Sequence, residues 1–180
     1  MFAATLGISA LQTSEYFGTG RNPRKLGSAH PRNAPYQAYA ASDGWFVIAA
    51  GNNRLWQSVC GVVGTPELLA DERFTTPTLR AKHQTELKAL LDPHFAARSV
   101  EHWLAAFAAA GVPHAPINGY GEALADPQAA HLKLVRPQVL PGGHATRTVG
   151  CPVRLDGRTV EVDTTPPALD EHGALLRGKA

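Results

Sequence analysis

The chain reads as an α+β fold, a small antiparallel sheet of two hairpins with several helices packed on it. Three observations lead there. Residues 36–41 and 45–50 are rich in aromatic and β-branched side chains and flank Ser42-Asp43-Gly44, a hairpin turn signal. Apolar residues then recur at helical spacing between Asn53 and Gly111. Finally, 14 prolines and 17 glycines in 180 residues break the chain too often for long elements.

Phe2, Leu6, Ser9 or Ala10, and Thr13 share a helical face, but no capping residue precedes them. Residues 1–20 are therefore expected to be the end of a helix from a preceding domain, stopped by Gly18-Thr19-Gly20. Residues 21–150 are expected to form the small α+β domain, and residues 151–180 a partly irregular return segment. A loop runs to Asn33; between Tyr16 and Ser42 it holds Arg21, Arg24, Lys25 and Arg32 and no acid.

After the first hairpin, Asn53 is placed to cap a helix to about Val63, with Leu55, Trp56, Val59, Val62 and Val63 inward. Pro66 opens a short helix through Ala70. Residues 78–97 predict one long amphipathic helix with Leu79, Leu87, Leu90, Leu91 and Phe95 inward and a kink at Pro93. Ser99 caps a helix carrying Trp103, Leu104 and Phe107 to a Gly111 C-cap. Residues 115–118 are extended, and Asp126-Pro127 opens a helix to His131. Residues 134–140 and 145–149 form the second hairpin around Pro141-Gly142-Gly143. From Asp163 the chain is proline-rich and loose, until a last helical turn within residues 169–176. Trp45, Trp56 and Trp103 read as core anchors.

A hydrophobic fraction of 44% and a charged fraction of 18% describe a globular chain, not a disordered or fibrous one. A net charge of +2 gives no electrostatic case for nucleic acid or an anionic membrane. Cys60 and Cys151 are far apart and fit two free thiols in a reducing compartment. No signal-peptide pattern or membrane-length apolar run occurs, so a soluble cytoplasmic protein is expected.

Eight histidines fit no zinc spacing, and no metal site is expected. Asp170-Glu171-His172 holds an acid, a base and an imidazole, but adjacent residues do not converge on one point. The chain has no GxSxG and no P-loop. Gly51-Asn52-Asn53 is the strongest candidate: a glycine-led loop after a buried strand brings flexible backbone amides to the strand end. Such amides suit an oxyanion or the cover of a reactive carboxyl derivative. As plain structure, the tripeptide is a strand-to-helix turn. His30-Pro31 would set a loop, and Tyr36 would pack in the core.

The run from His30 to Tyr39, with Asp43 to Asn53, resembles the central motif of the family III CoA-transferases. That family includes formyl-CoA and carnitine CoA-transferases and also 2-methylacyl-CoA racemase. Further pieces match in order: Gly64-Thr65-Pro66-Glu67-Leu68, Asp71-Glu72-Arg73-Phe74, Arg80 before the long helix, and Trp103 in the next. Gly111-Val112-Pro113, Ala115-Pro116-Ile117, Asp126-Pro127-Gln128 and the closing Pro167 to His172 complete the series. One departure is Asp170, where relatives usually carry glycine before Glu-His.

The resemblance implies an enzyme that moves CoA from an acyl-CoA thioester to a free carboxylic acid. It also implies a longer chain, with an α/β CoA-binding first half that supplies a nucleophilic aspartate and dimerises as interlocked rings. Only the small domain and the C-terminal segment match, so no residue here takes the aspartate's place, and the partner is a homodimer mate or an N-terminal CoA-binding domain. By the same resemblance Gly51, Asn52 and Asn53 form a lid, and His30, Tyr36 and Gln37 border the substrate pocket. CoA enters as a substrate thioester, with no permanently held cofactor. The alternatives are a 2-methylacyl-CoA racemase and a non-catalytic interaction module.

Overall fold

A computed structural model describes residues 1–159 and 165–178 of the chain. The expected start of the loose tail at Asp163 lies outside those residues. They divide into two compact units, Met1–Ile117 and Asn118–Ala180.

In the first unit the opening helix is interrupted at Ser9, giving α1 (Phe2–Ile8) and α2 (Ala10–Thr19), neither of which buries a residue. The predicted hairpin forms β1 (Tyr36–Ala40) and β2 (Trp45–Ala49), paired antiparallel with Tyr39 opposite Phe46 and Gln37 opposite Ile48. A third strand, β3 (His114–Pro116), adds to β2, so this sheet has three strands, not the two of a hairpin alone. Its inner face presents Tyr39, Phe46 and Ile48, all fully buried. Side chains alternate along a strand, so Trp45, next to Phe46, falls on the outer face and is exposed. It is not a core anchor, whereas Trp56 and Trp103 are buried.

Helix α3 (Asn53–Val63) packs Trp56, Val59 and Cys60 inward and ends at Gly64, whose φ of 78° needs no side chain. A 3-10 turn (Pro66–Leu69) follows. The long helix expected over 78–97 is two helices, α4 (Pro77–Lys82) and α5 (Gln84–Ala96), broken at His83 instead of Pro93. Pro93 is tolerated because it lies on the exposed side of α5, where water can satisfy the carbonyl that loses its partner. Leu87, Leu91 and Phe95 repeat every fourth residue and are fully buried, whereas Leu90 is on the open side.

Helix α6 (Val100–Ala109) starts where Ser99 Oγ accepts from the His102 amide, and Gly111 adopts a φ of 65° just after it. Asp43, in the β1–β2 turn, accepts from the Val100 amide at 2.8 Å and ties the hairpin to this helix start.

The second unit contains α7 (Tyr120–Ala125), unexpected from the sequence, then α8 (Pro127–His131), capped by Asp126 as predicted. The second hairpin is β4 (Val135–Val139) with β5 (Ala145–Val149). Strands β6 (Arg154–Leu155) and β7 (Arg158–Thr159) make a further small hairpin around Asp156-Gly157, both at positive φ. The last helix is α9 (Gly173–Arg177). Asp170 does stand in the left-handed region, at φ 59°, and its carboxylate pairs with Arg177 at 2.8 Å. Among the described residues no helix is long and apolar enough to cross a membrane.

Both cysteines are free thiols, but they differ in reactivity. Cys60 has no exposed surface, and burial pushes its pKa up to about 11. Cys151 is partly exposed. Alkylation at pH 8 is therefore expected to label Cys151 alone in the native chain and both thiols in denaturant, read by mass spectrometry. Fast native labelling of Cys60 contradicts the packing of α3.

Candidate functional site

The glycine-led loop lies where β2 ends and α3 begins, held on its upstream side by residues 30–35. His30 organises that approach: its Nδ1 accepts from the amides of Arg32 and Asn33, both at 3.1 Å. Nδ1 is thus the unprotonated nitrogen of the ring in this turn. The ring stacks on Tyr36 with centroids 4.9 Å apart and planes 12° from parallel. His30 and Tyr36 are therefore together, but Tyr36 is exposed on the outer face of the sheet and does not pack in the core. Gln37, one residue on, points the other way. It is buried and donates through Nε2 to the Tyr39 hydroxyl at 3.2 Å. Burial raises the pKa of that phenol.

Gly51 lies at a close approach. A Cβ built there would lie 3.0 Å from Asn33 Cγ and 3.1 Å from its Cβ. The amide of Ala50, just before it, donates to Pro35 O at 2.8 Å. So the strand end and the 30–35 turn lie against each other, and a side chain at 51 would have to push Asn33 aside by a few tenths of an ångström. Asn52, not Asn53, caps α3: its Oδ1 accepts from the Leu55 amide at 2.9 Å. Asn53 is the first helical residue, and its Oδ1 faces inward to accept from Arg80 Nη2 at 3.0 Å.

Arg80 is the residue whose role the sequence concealed. It is fully buried on α4 and donates from Nε to Ala34 O and from Nη1 to Phe74 O, each at 2.9 Å. Its guanidinium also lies over the Trp56 ring, 5.7 Å from the centroid. Burial lowers its pKa, yet an arginine stays charged in any folded protein. One cation thus grips the 30–35 turn through Ala34 and the helix start through Asn53. An arginine three residues after a proline at a helix start is ordinarily a surface residue. The only sequence cue was its place in a run of family-like motifs.

The basic stretch does not converge here. Arg32 pairs with Glu15 at 2.9 Å, and Arg21, Arg24 and Lys25 are exposed. Among the described residues no group of three or more His, Cys, Asp or Glu side chains could hold a metal. In the second unit a groove of about 1000 Å³ is lined by α7, α8 and the β4–β5 hairpin, with Lys133, Arg136 and Arg147 as its charged residues. Asp170, Glu171 and His172 lie outside that lining.

A family model described as CoA-transferase family III matches residues 1–173. The chain is 34% identical to the acetyl-CoA:oxalate CoA-transferase of Acetobacter aceti over 98% of its own length and 44% of that protein's. It is 32% identical to the succinyl-CoA:glutarate CoA-transferase of Homo sapiens over 84% of its own length and 35% of that protein's. The crystal structure of a CAIB/BAIF family protein from Brucella suis superposes with a TM-score of 0.75 at 34% identity, covering 96% of this chain and 44% of that one. The chain spans less than half the length of these relatives.

Proposed function

The chain belongs to CoA-transferase family III, and we propose that it is the loop-bearing part of an enzyme that moves CoA from an acyl-CoA to a free carboxylic acid. The match over residues 1–173 carries this reading, and the two relatives are named for that reaction with oxalate and glutarate. The nucleophilic aspartate is assigned to sequence outside these 180 residues, in a CoA-binding α/β domain of the same or a second polypeptide. The assembly is taken to be dimeric and cytoplasmic, with coenzyme A entering only as a substrate thioester.

In this reading Gly51, Asn52 and Asn53 cover the aspartyl intermediates. A mixed anhydride and an aspartyl thioester both hydrolyse readily, so a lid that excludes water protects the transfer. His30 and Tyr36 form the adjoining rim; Gln37 supports it from the core side by fixing Tyr39. Support for a missing body comes from the exposed apolar side chains of α1 and α2. Phe2, Ile8 and Phe17 are each more than 80% exposed. An isolated unit has no reason to display such large apolar side chains.

The test uses an isotopically labelled acid and an unlabelled acyl-CoA. The 180-residue chain alone is expected to transfer nothing. Combined with the domain carrying the aspartate, it should place label in the acyl-CoA at a rate that depends on the acid. Turnover by the chain alone, or none by the complete assembly with any mono- or dicarboxylic acid, sinks the proposal.

A further inference from the structure

We infer that Arg80 is a positioning residue for the 51–53 loop, turning the Asn53 side-chain amide so that its N–H2 group faces out of the loop as a fixed hydrogen-bond donor. This rests on the transferase reading above. A guanidinium has five donors and no acceptor. Whatever amide meets it must offer oxygen, and Asn53 Oδ1 does so at 3.0 Å. Reversing the amide would set N–H against N–H beside a buried charge. The nitrogen of Asn53 is thereby directed away from Arg80, at a residue that is itself exposed.

Asn52 obeys the same logic by a different route. Its Oδ1 is occupied by the Leu55 amide, which leaves its nitrogen as the free end. Both asparagines therefore commit their acceptors to the protein and keep their donors outward. An unrestrained amide shows donor or acceptor in turn, and half its orientations repel a carboxylate. The carboxylic acid and the acyl intermediates present acceptor oxygens, so a donor locked outward favours them without reorganisation at the moment of reaction. Arg80 is itself locked, since Ala34 O and Phe74 O hold its other two arms.

The decisive variants are at Asn53, because they leave the buried cation in place. Asn53→Asp preserves an oxygen for Arg80 and adds an opposite charge, but puts an acceptor where the donor was. It is expected to leave the thermal midpoint of the chain unchanged or higher. In the assembled transferase it should lower kcat about 100-fold, with a much smaller change in KM for the acyl-CoA. Asn53→Ala removes the acceptor for Arg80 together with the outward donor, and should speed amide hydrogen exchange at residues 51–55 about tenfold in the chain itself. A purely structural contact predicts that Asn53→Asp keeps kcat within about twofold, and that result overturns the inference. So does unchanged exchange in Asn53→Ala. If the unsubstituted assembly transfers no CoA, the transferase reading fails, and the exchange measurement still decides whether Arg80 holds the loop.

Discussion

Replacing Arg80 with methionine is expected to cost the Met1–Ile117 unit about 3–5 kcal/mol, read as a lower urea midpoint at unchanged slope. Swapping a buried ion pair for apolar side chains is often harmless because both charges leave together. Here the partners are two backbone carbonyls and an asparagine oxygen, and the carbonyls cannot be removed. Each buried acceptor left without a donor costs about 1–3 kcal/mol. Asn53 lies at the surface and can turn to water, so the heavier losses fall on Ala34 O and Phe74 O. The cation also leaves the face of Trp56. Against a domain stability of about 5–15 kcal/mol, the loss is a large share. Arg80→Lys keeps the charge but has one nitrogen to serve three divergent acceptors, so it should recover less than half. A cost under about 1 kcal/mol for Arg80→Met would mean that the three bonds are not made in solution.

Where an element rests on local chemistry, its residues announced it. Ser99 is a good acceptor for a helix amide, Gly111 accepts a left-handed turn, and Ser42-Asp43-Gly44 closes a hairpin; all three stand where expected. Asp156-Gly157 carries an equally local hairpin signal that went unread. The misses were of another kind. The extended piece expected at 115–118 forms as β3, but its pairing depends on the free edge of β2, which no window around His114 contains. That α5 runs on through Pro93 reflects which side of it faces water. For the candidate site, Gly51 was legible as a glycine, but its reason lies in Asn33, 18 positions upstream. The cap expected at Asn53 falls one residue earlier, at Asn52, because either asparagine suits the position and only the fold turns Asn53 toward Arg80. Arg80 was hidden because its burial depends on three segments meeting around it.

Truncating Phe95 to alanine is expected to destabilise the same unit by about 3–5 kcal/mol, whereas Phe17→Ala should change it by less than about 0.5 kcal/mol. The residue type is the same, so the difference tests packing alone. Phe95 has no exposed surface, and four aromatic rings meet it edge-on. Tyr39 lies 4.7 Å away, and Phe46 and Trp103 each 5.2 Å, at interplanar angles of 60°, 88° and 89°; Phe107 stands farther out, at 6.2 Å and 64°. These are the favoured quadrupole geometries, worth about 0.5–1.5 kcal/mol per pair beyond area. The partners come from β1, β2 and α6, so the ring is where sheet and helices are pinned together. The Phe95 carbonyl also accepts from Trp103 Nε1 at 2.8 Å, a bond that alanine keeps. The loss therefore measures the ring and its cavity, not a broken hydrogen bond. Phe17, by contrast, is 83% exposed and touches only Tyr16 among the aromatic rings. If Phe17→Ala proved as costly as Phe95→Ala in the isolated chain, α2 would be packed against the unit, and its exposed apolar side chains would no longer support a missing partner.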